Sequence, residues 1–152
     1  MARQSFIQEA QANICKDLHE KTAAQFFRGM EVIAADPGDI VAKAGHALAG
    51  TGLCVVVEVA GGPAPIPEDP TDWDARISVL ERPAVNREGR NGKTADLVVD
   101  EVLRTFPPDG SGCGHFRAVR VVDAHSEKLP CYVIEGKTSI VLRTTEAPPP
   151  EC

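Results

Sequence analysis

Strict alternation of apolar and polar residues restricts the fold of this chain more than any other feature. In "WDARISVLERPAV", Trp73, Ala75, Ile77 and Val79 alternate with Asp74, Arg76, Ser78 and Leu80. Successive side chains of a strand point to opposite sides, so a period of two describes a strand with one buried face and one mostly polar face. Strands of this kind belong to antiparallel sheets covered on one side. "HFRAVRVVDAHS" repeats the pattern with Phe116, Ala118 and Val121 inward, and "CYVIEGKTSIVLRTT" with Tyr132, Ile134, Ile140 and Leu142. Gly136 marks a bulge or bend in the last of these. "LCVVVEVAGG" is a β-branched run that predicts a largely buried strand, and Met30, Val32 and Ala34 alternate with Glu31 and Ile33 in a further short one.

Helical periods separate these strands. Ser5 with Gln8 has the spacing of a capping box, and Ile7, Ala10, Ile14 and Leu18 then recur on one face, predicting a helix from about Phe6 to about Lys21. In "ADPGDIVAKAGHALAGTG", Asp36 is the expected cap and Pro37 the expected first-turn residue. Ile40, Val41, Ala44, Ala47 and Leu48 form the stripe, and Gly50 and Gly52 end it. Thr94 is the expected cap of a third helix, with Asp96 in its first turn and Val98, Val99, Val102, Leu103 and Phe106 facing the core. Prolines 63, 65, 67 and 70 in "PAPIPEDPTDW" block both helix and ladder pairing, which predicts an extended surface arm.

The expected architecture is therefore α+β: a mostly antiparallel sheet of about four or five strands with two or three helices packed on one face. The other sheet face stays free. At 152 residues with 43% hydrophobic content, the chain suits a single domain over 1–146, with the proline-rich 147–152 as a disordered tail.

Composition excludes several classes of function. A net charge of -6 argues against a protein that grips nucleic acid through a broad basic face, and one Trp with one Tyr leave little for base stacking. The N-terminal residues lack a signal-like apolar core, and no stretch reaches the roughly 18 apolar residues of a membrane span. Five cysteines, at 15, 54, 113, 131 and 152, fit a reducing compartment. The expectation is a cytoplasmic, soluble protein.

Chemical motifs fare poorly. "NREGRNGKTADLVVDEVL" contains Gly-Lys-Thr, but a phosphate-binding loop needs glycine five residues before Gly92, and Arg87 stands there. Cys15 and His19 are four apart on the first helix and could join Cys113 and His115 as metal ligands, although nothing in the sequence brings the pairs together. Buried free thiols are the commoner outcome. Ser111, Cys113 and His115 in "GSGCGHF" supply nucleophile and base types on a turn that precedes a strand, the reverse of a nucleophile elbow. No catalytic residue, metal site or cofactor is assigned.

In element order, and in the strand, arm and helix of "VLERPAVNR…GKTADLVVDEVL", roughly residues 5 to 145 resemble the small tail-terminator and tail-completion proteins of long-tailed bacteriophages and prophages. That resemblance implies a structural subunit rather than an enzyme. It forms a ring, a hexamer in the assembled tail, that caps the tail tube, stops its polymerisation and offers a surface to a head-completion protein. Its site of action would be the host cytoplasm and then the virion tail, with no membrane or sequence-specific nucleic acid as partner. A head-to-tail connector or adaptor shares this logic, and a small enzyme using the Cys113/His115 loop is a further alternative. Two arms of opposite charge are the expected subunit contacts: Glu68, Asp69, Asp72 and Asp74 on one, Arg87, Arg90 and Lys93 on the other, with Trp73 as a candidate anchor.

Overall fold

A computed structural model describes residues 5–22, 26–27, 30–35, 40–86, 93–110, 114–124 and 131–144. Its elements run in the order α1 (Phe6–Glu20), β1 (Glu31–Ala34), α2 (Ile40–Gly50), β2 (Leu53–Gly61), β3 (Thr71–Glu81), α3 (Ala95–Thr105), β4 (Arg117–Asp123) and β5 (Cys131–Ile140). Five strands form one sheet in the order β1-β2-β3-β5-β4. β1 and β2 are parallel, as a strand–helix–strand crossover through α2 requires, and every other pair is antiparallel. The fold is α+β, with helices packed on a mostly antiparallel sheet. No helix among the described residues is long and apolar enough to cross a membrane.

Side-chain parity decides what each face becomes. Leu53, Val55 and Val57 of β2, Ala75, Ile77 and Val79 of β3, and Ile134 of β5 point to the side where α1 places Ile14 and Leu18 and α3 places Val98 and Val102. Phe106 and Phe116 close this core edge to face, with ring centres 5.5 Å apart. On the opposite side, α2 lays Ala47 and Leu48 over Ile33 and Cys54, with Val56 and Leu80 at the margin. β2 is thus covered on both faces over Leu53–Val57, which is why its apolar run is continuous rather than alternating.

The capping box forms: Gln8 N–H donates to Ser5 Oγ, and Ser5 N–H donates to Gln8 Oε1. Gly52 ends α2 in the left-handed region at φ 77°, its N–H donating to Leu48 O. Asp36 and Pro37 lie outside the described residues, as do 145–152.

Four local expectations need correction. Ile33, placed by alternation beside Glu31, is buried beneath α2, because a strand with helices on both sides has no polar face. Val41 is 84% exposed, since the narrow α2 stripe that meets the sheet passes through Ala44, Ala47 and Leu48 instead. Val121 is 40% exposed on the outer strand β4, at the margin of the helix-covered area. Thr94 occupies the cap position of α3 without a side-chain cap bond; its hydroxyl donates to the Asp96 carboxylate.

The irregularity expected at Gly136 falls on its partner strand. β5 keeps an unbroken register with β3, and β4 bulges between Ala118 and Arg120 opposite Gly136 and Glu135. A Cβ on Gly136 would lie 2.2 Å from the Arg117 carbonyl oxygen and 2.5 Å from the Phe116 ring. Glycine lets β4 and Phe116 approach this closely. Gly136→Ala is expected to destabilise the protein by about 2 kcal/mol through forced displacement of β4, measured by urea denaturation.

Candidate functional site

The arm joining β2 to β3 covers residues 62–70, and its shape is held at both ends. Its four prolines remove amide donors, so no ladder bond competes with the extended path. At the base, Trp73 Nε1 donates to Pro63 O at 2.6 Å, and the indole stands edge-on to Phe6 of α1 with ring centres 5.3 Å apart. Gly62 packs so closely on this indole that a Cβ would lie 2.5 Å from Trp73 Cδ1. Trp73 therefore works as the arm's hinge pin on the helix-covered side of β3.

At the tip, Glu68 adopts φ 69°, a left-handed conformation that a non-glycine residue keeps only when its surroundings enforce it. Its N–H donates to Leu142 O at 2.8 Å, and its carboxylate accepts from Thr144 N–H at 2.6 Å and Thr144 Oγ1 at 2.7 Å. These bonds hold the Glu68 carboxyl below its usual range. Asp69 N–H donates to Ile66 O, closing a turn that leaves Ile66 64% exposed between two prolines. Asp69 is itself exposed at that tip.

Behind the arm lies a broad sheet face. Beyond the area under α2, Glu58, Arg76, Glu135 and Arg120 stand side by side across β2, β3, β5 and β4, in alternating charge. Arg76 pairs with Glu58, and Arg120 Nε lies 2.8 Å from Glu135 Oε2. The next row sets Asp74 against Lys137, with Arg117 beyond. α2 occupies the β1–β2 end of this face, so the face expected to stay free is open only over the remainder.

The oppositely charged arm is only partly placed. Arg87 and Arg90 lie outside the described residues. Lys93 is fastened to the body of the protein: its ammonium donates to Phe26 O and sits 4.9 Å from the Phe26 ring centre. Asp72, the second residue of β3, lies opposite Ser139 at a groove of about 270 Å³ that also meets His115, Arg117 and Lys137.

Sequence reasoning missed the feature that sits at that groove. Asp17, on the buried side of α1, accepts from both His115 N–H and His115 Nδ1 at 2.7 Å through one oxygen, while Lys21 Nζ lies 3.5 Å from the other. Thr138 Oγ1 donates to His115 O from β5. Burial opposes ionisation of Asp17, but the bonds from His115 and the charges of His115 and Lys21 outweigh it, so the carboxyl is held below its usual range. The two residues are 98 positions apart, and neither lies in a motif that names its partner.

This pair resembles the orienting half of a catalytic triad, in which a carboxylate fixes one imidazole nitrogen and leaves the other for a base's work. Among the described residues no serine, threonine or cysteine side chain hydrogen-bonds the His115 ring. Ser111 and Cys113 lie outside them. Cys15 packs against the core, where burial pushes its thiol up to about 11, and His19 is exposed. No group of three or more His, Cys, Asp or Glu among the described residues is placed to hold a metal ion.

Comparison with protein-family models, with curated proteins and with solved structures returned no match.

Asp17→Ala should cost about 2 kcal/mol at neutral pH, because it removes the carboxylate that accepts from the backbone and ring of the half-buried His115. The sign of the pH effect follows from the depressed folded value. An unfolded aspartate titrates near about 4, so the stabilisation is fully present above that pH and is lost as pH falls through the lower folded value. Urea midpoints measured from pH 7 down to pH 2 should show a steeper acid loss in the wild type than in the variant.

Proposed function

We propose that the chain is a ring-forming subunit that completes a phage or prophage tail, capping the tube and presenting a surface for head joining. The observation that supports this reading best is the part of a sheet face that α2 leaves uncovered, patterned in alternating charge, in a subunit whose arm has its shape fixed by its own chain. An arm already ordered by its own chain has little freedom left to lose on meeting a neighbour, which suits a subunit contact. The sequence resemblance to tail-terminator proteins supplies the same role independently of the geometry.

In this reading Asp69 and Asp72 face a neighbour's Arg87 and Arg90, while Glu68, Trp73 and Lys93 hold the two arms to their own subunit. Tail tube protein and a head-completion protein are the other partners, and no cofactor takes part. A head-to-tail connector would use the same surfaces against a different neighbour.

Light scattering across protein and salt concentration tests this. A closed ring, or a monomer that becomes one on purified tail tubes, is the expected outcome; a monomer indifferent to tubes would end the proposal. Arg87→Glu with Arg90→Glu is expected to weaken assembly, with the defect shrinking as salt screens the contact.

One observation favours a second reading. His115, oriented by Asp17 at a groove, is arranged as a base would be in a small enzyme using the Cys113/His115 loop. In that case iodoacetamide would alkylate Cys113 much faster in the wild type than in His115→Ala.

A further inference from the structure

Ion pairs on the open sheet face use up its cations one by one and leave Arg117 over. Arg76 is taken by Glu58, Arg120 by Glu135 and Lys137 by Asp74. Arg117, beside Lys137 in the same row, meets no carboxylate among the described residues. Its side chain passes the Pro107–Gly110 turn, where a Cβ on Gly110 would lie 3.6 Å from Arg117 Cδ, and it lines the groove of about 270 Å³.

His115, two residues earlier, lines the same groove and is held there by its ring and its backbone. Asp17 accepts from its N–H and at Nδ1, and Thr138 Oγ1 donates to its carbonyl oxygen. An ionised carboxylate can only accept, so Nδ1 carries a proton. Nε2, which no described residue bonds, becomes a donor when the ring takes up a second one. Exposed Ser139 adds a hydroxyl to the groove. Asp72 stands at its far side on β3, two strands from Arg117 and so about 10 Å across the sheet.

We propose that this groove binds a small oxyanion, the carboxylate or phosphate group of an organic molecule, between the Arg117 guanidinium and the His115 Nε2–H. The planar guanidinium offers paired donors that match two oxygens of such a group, and the imidazole supplies a further bond. Because His115 is already fixed by Asp17 and Thr138, little ordering is left for the ligand to impose. Asp72 opposes a second negative charge, so the ligand carries its anionic group at one end and is neutral or cationic at the other. The ligand makes no bond to Asp72, which leaves the ring contact of that residue unaffected. This inference rests on the second reading above, in which His115 serves the groove, and gives it a ligand class; it needs neither a ring nor a reactive Cys113.

Inorganic phosphate and acetate, titrated separately against chloride at constant ionic strength, test the site by NMR of the His115 ring and Arg117 Nε. Saturable shifts at both residues with either anion are expected, and the tighter of the two tells a phosphate ligand from a carboxylate. Arg117→Met, at an exposed position, should weaken binding at least about tenfold. Arg76→Met removes an equal charge from the same face and should leave binding within about twofold. Asp17 and Lys21 of α1, with Arg117, Lys137 and Asp72 around the groove, are the charged groups that face the ring. Acetate affinity should fall with rising pH in the wild type, as the Nε2 proton is lost, and stay level in His115→Gln. Shifts that never saturate, or an Arg117→Met protein that binds as the wild type does, would overturn the site, and the same pH profile in both proteins would overturn the part of His115. None of these outcomes bears on the alkylation of Cys113, which decides the second reading by itself.

Discussion

The width of one helix governs what this sheet can present. A helix with its side chains is about 10 Å across, and neighbouring strands lie about 4.8 Å apart, so α2 can shield little more than two strands. It covers β1 and β2 and touches β3 at Leu80. On that side the remainder of β3, β5 and β4 is left to water, and its side chains are accordingly Asp74, Arg76, Glu135, Lys137 and Arg120. α1 and α3, together on the other face, bury the centre of what those strands turn toward them and leave Val121 at the margin. The asymmetry between one helix on one side and two on the other decides where the core ends and where a patterned surface begins.

Polar groups from α1 then fix how that helix sits. Gln11 is buried, and its amide spans two strands' ends: Nε2 donates to Ala35 O, and Oε1 accepts from Val59 N–H. Asp17, two turns further along, reaches the segment before β4. Burying either side chain without partners would be costly, so each favours a single placement of α1 over the alternatives its apolar stripe alone would allow.

The sheet was legible in the sequence wherever one face meets water. β3 is the clearest case, because its alternation is the direct imprint of a covered and an uncovered side. Legibility failed where that condition failed. β1 is four residues long and sandwiched, so Ile33 could not be sorted by period, and Val41 and Val121 satisfy the pattern at places where the covering element stops short. The charged arm residues were visible as composition, but their division of labour was not: Glu68 binds Thr144, and Lys93 binds Phe26 O, contacts spanning 76 and 67 positions. The Asp17–His115 pair was hidden for the same reason. A buried aspartate in an amphipathic helix reads as surface until its partner is placed.

The left-handed Glu68 and the Trp73–Pro63 bond have a kinetic consequence. A loop that orders only on contact must lose its freedom at the moment of association, and that loss slows productive encounters and weakens the complex. Here the ordering is completed during folding, within one chain and against its own β5 extension. An association through this arm would be the meeting of rigid bodies, with its speed set by collision and orientation rather than by the ordering of a loop.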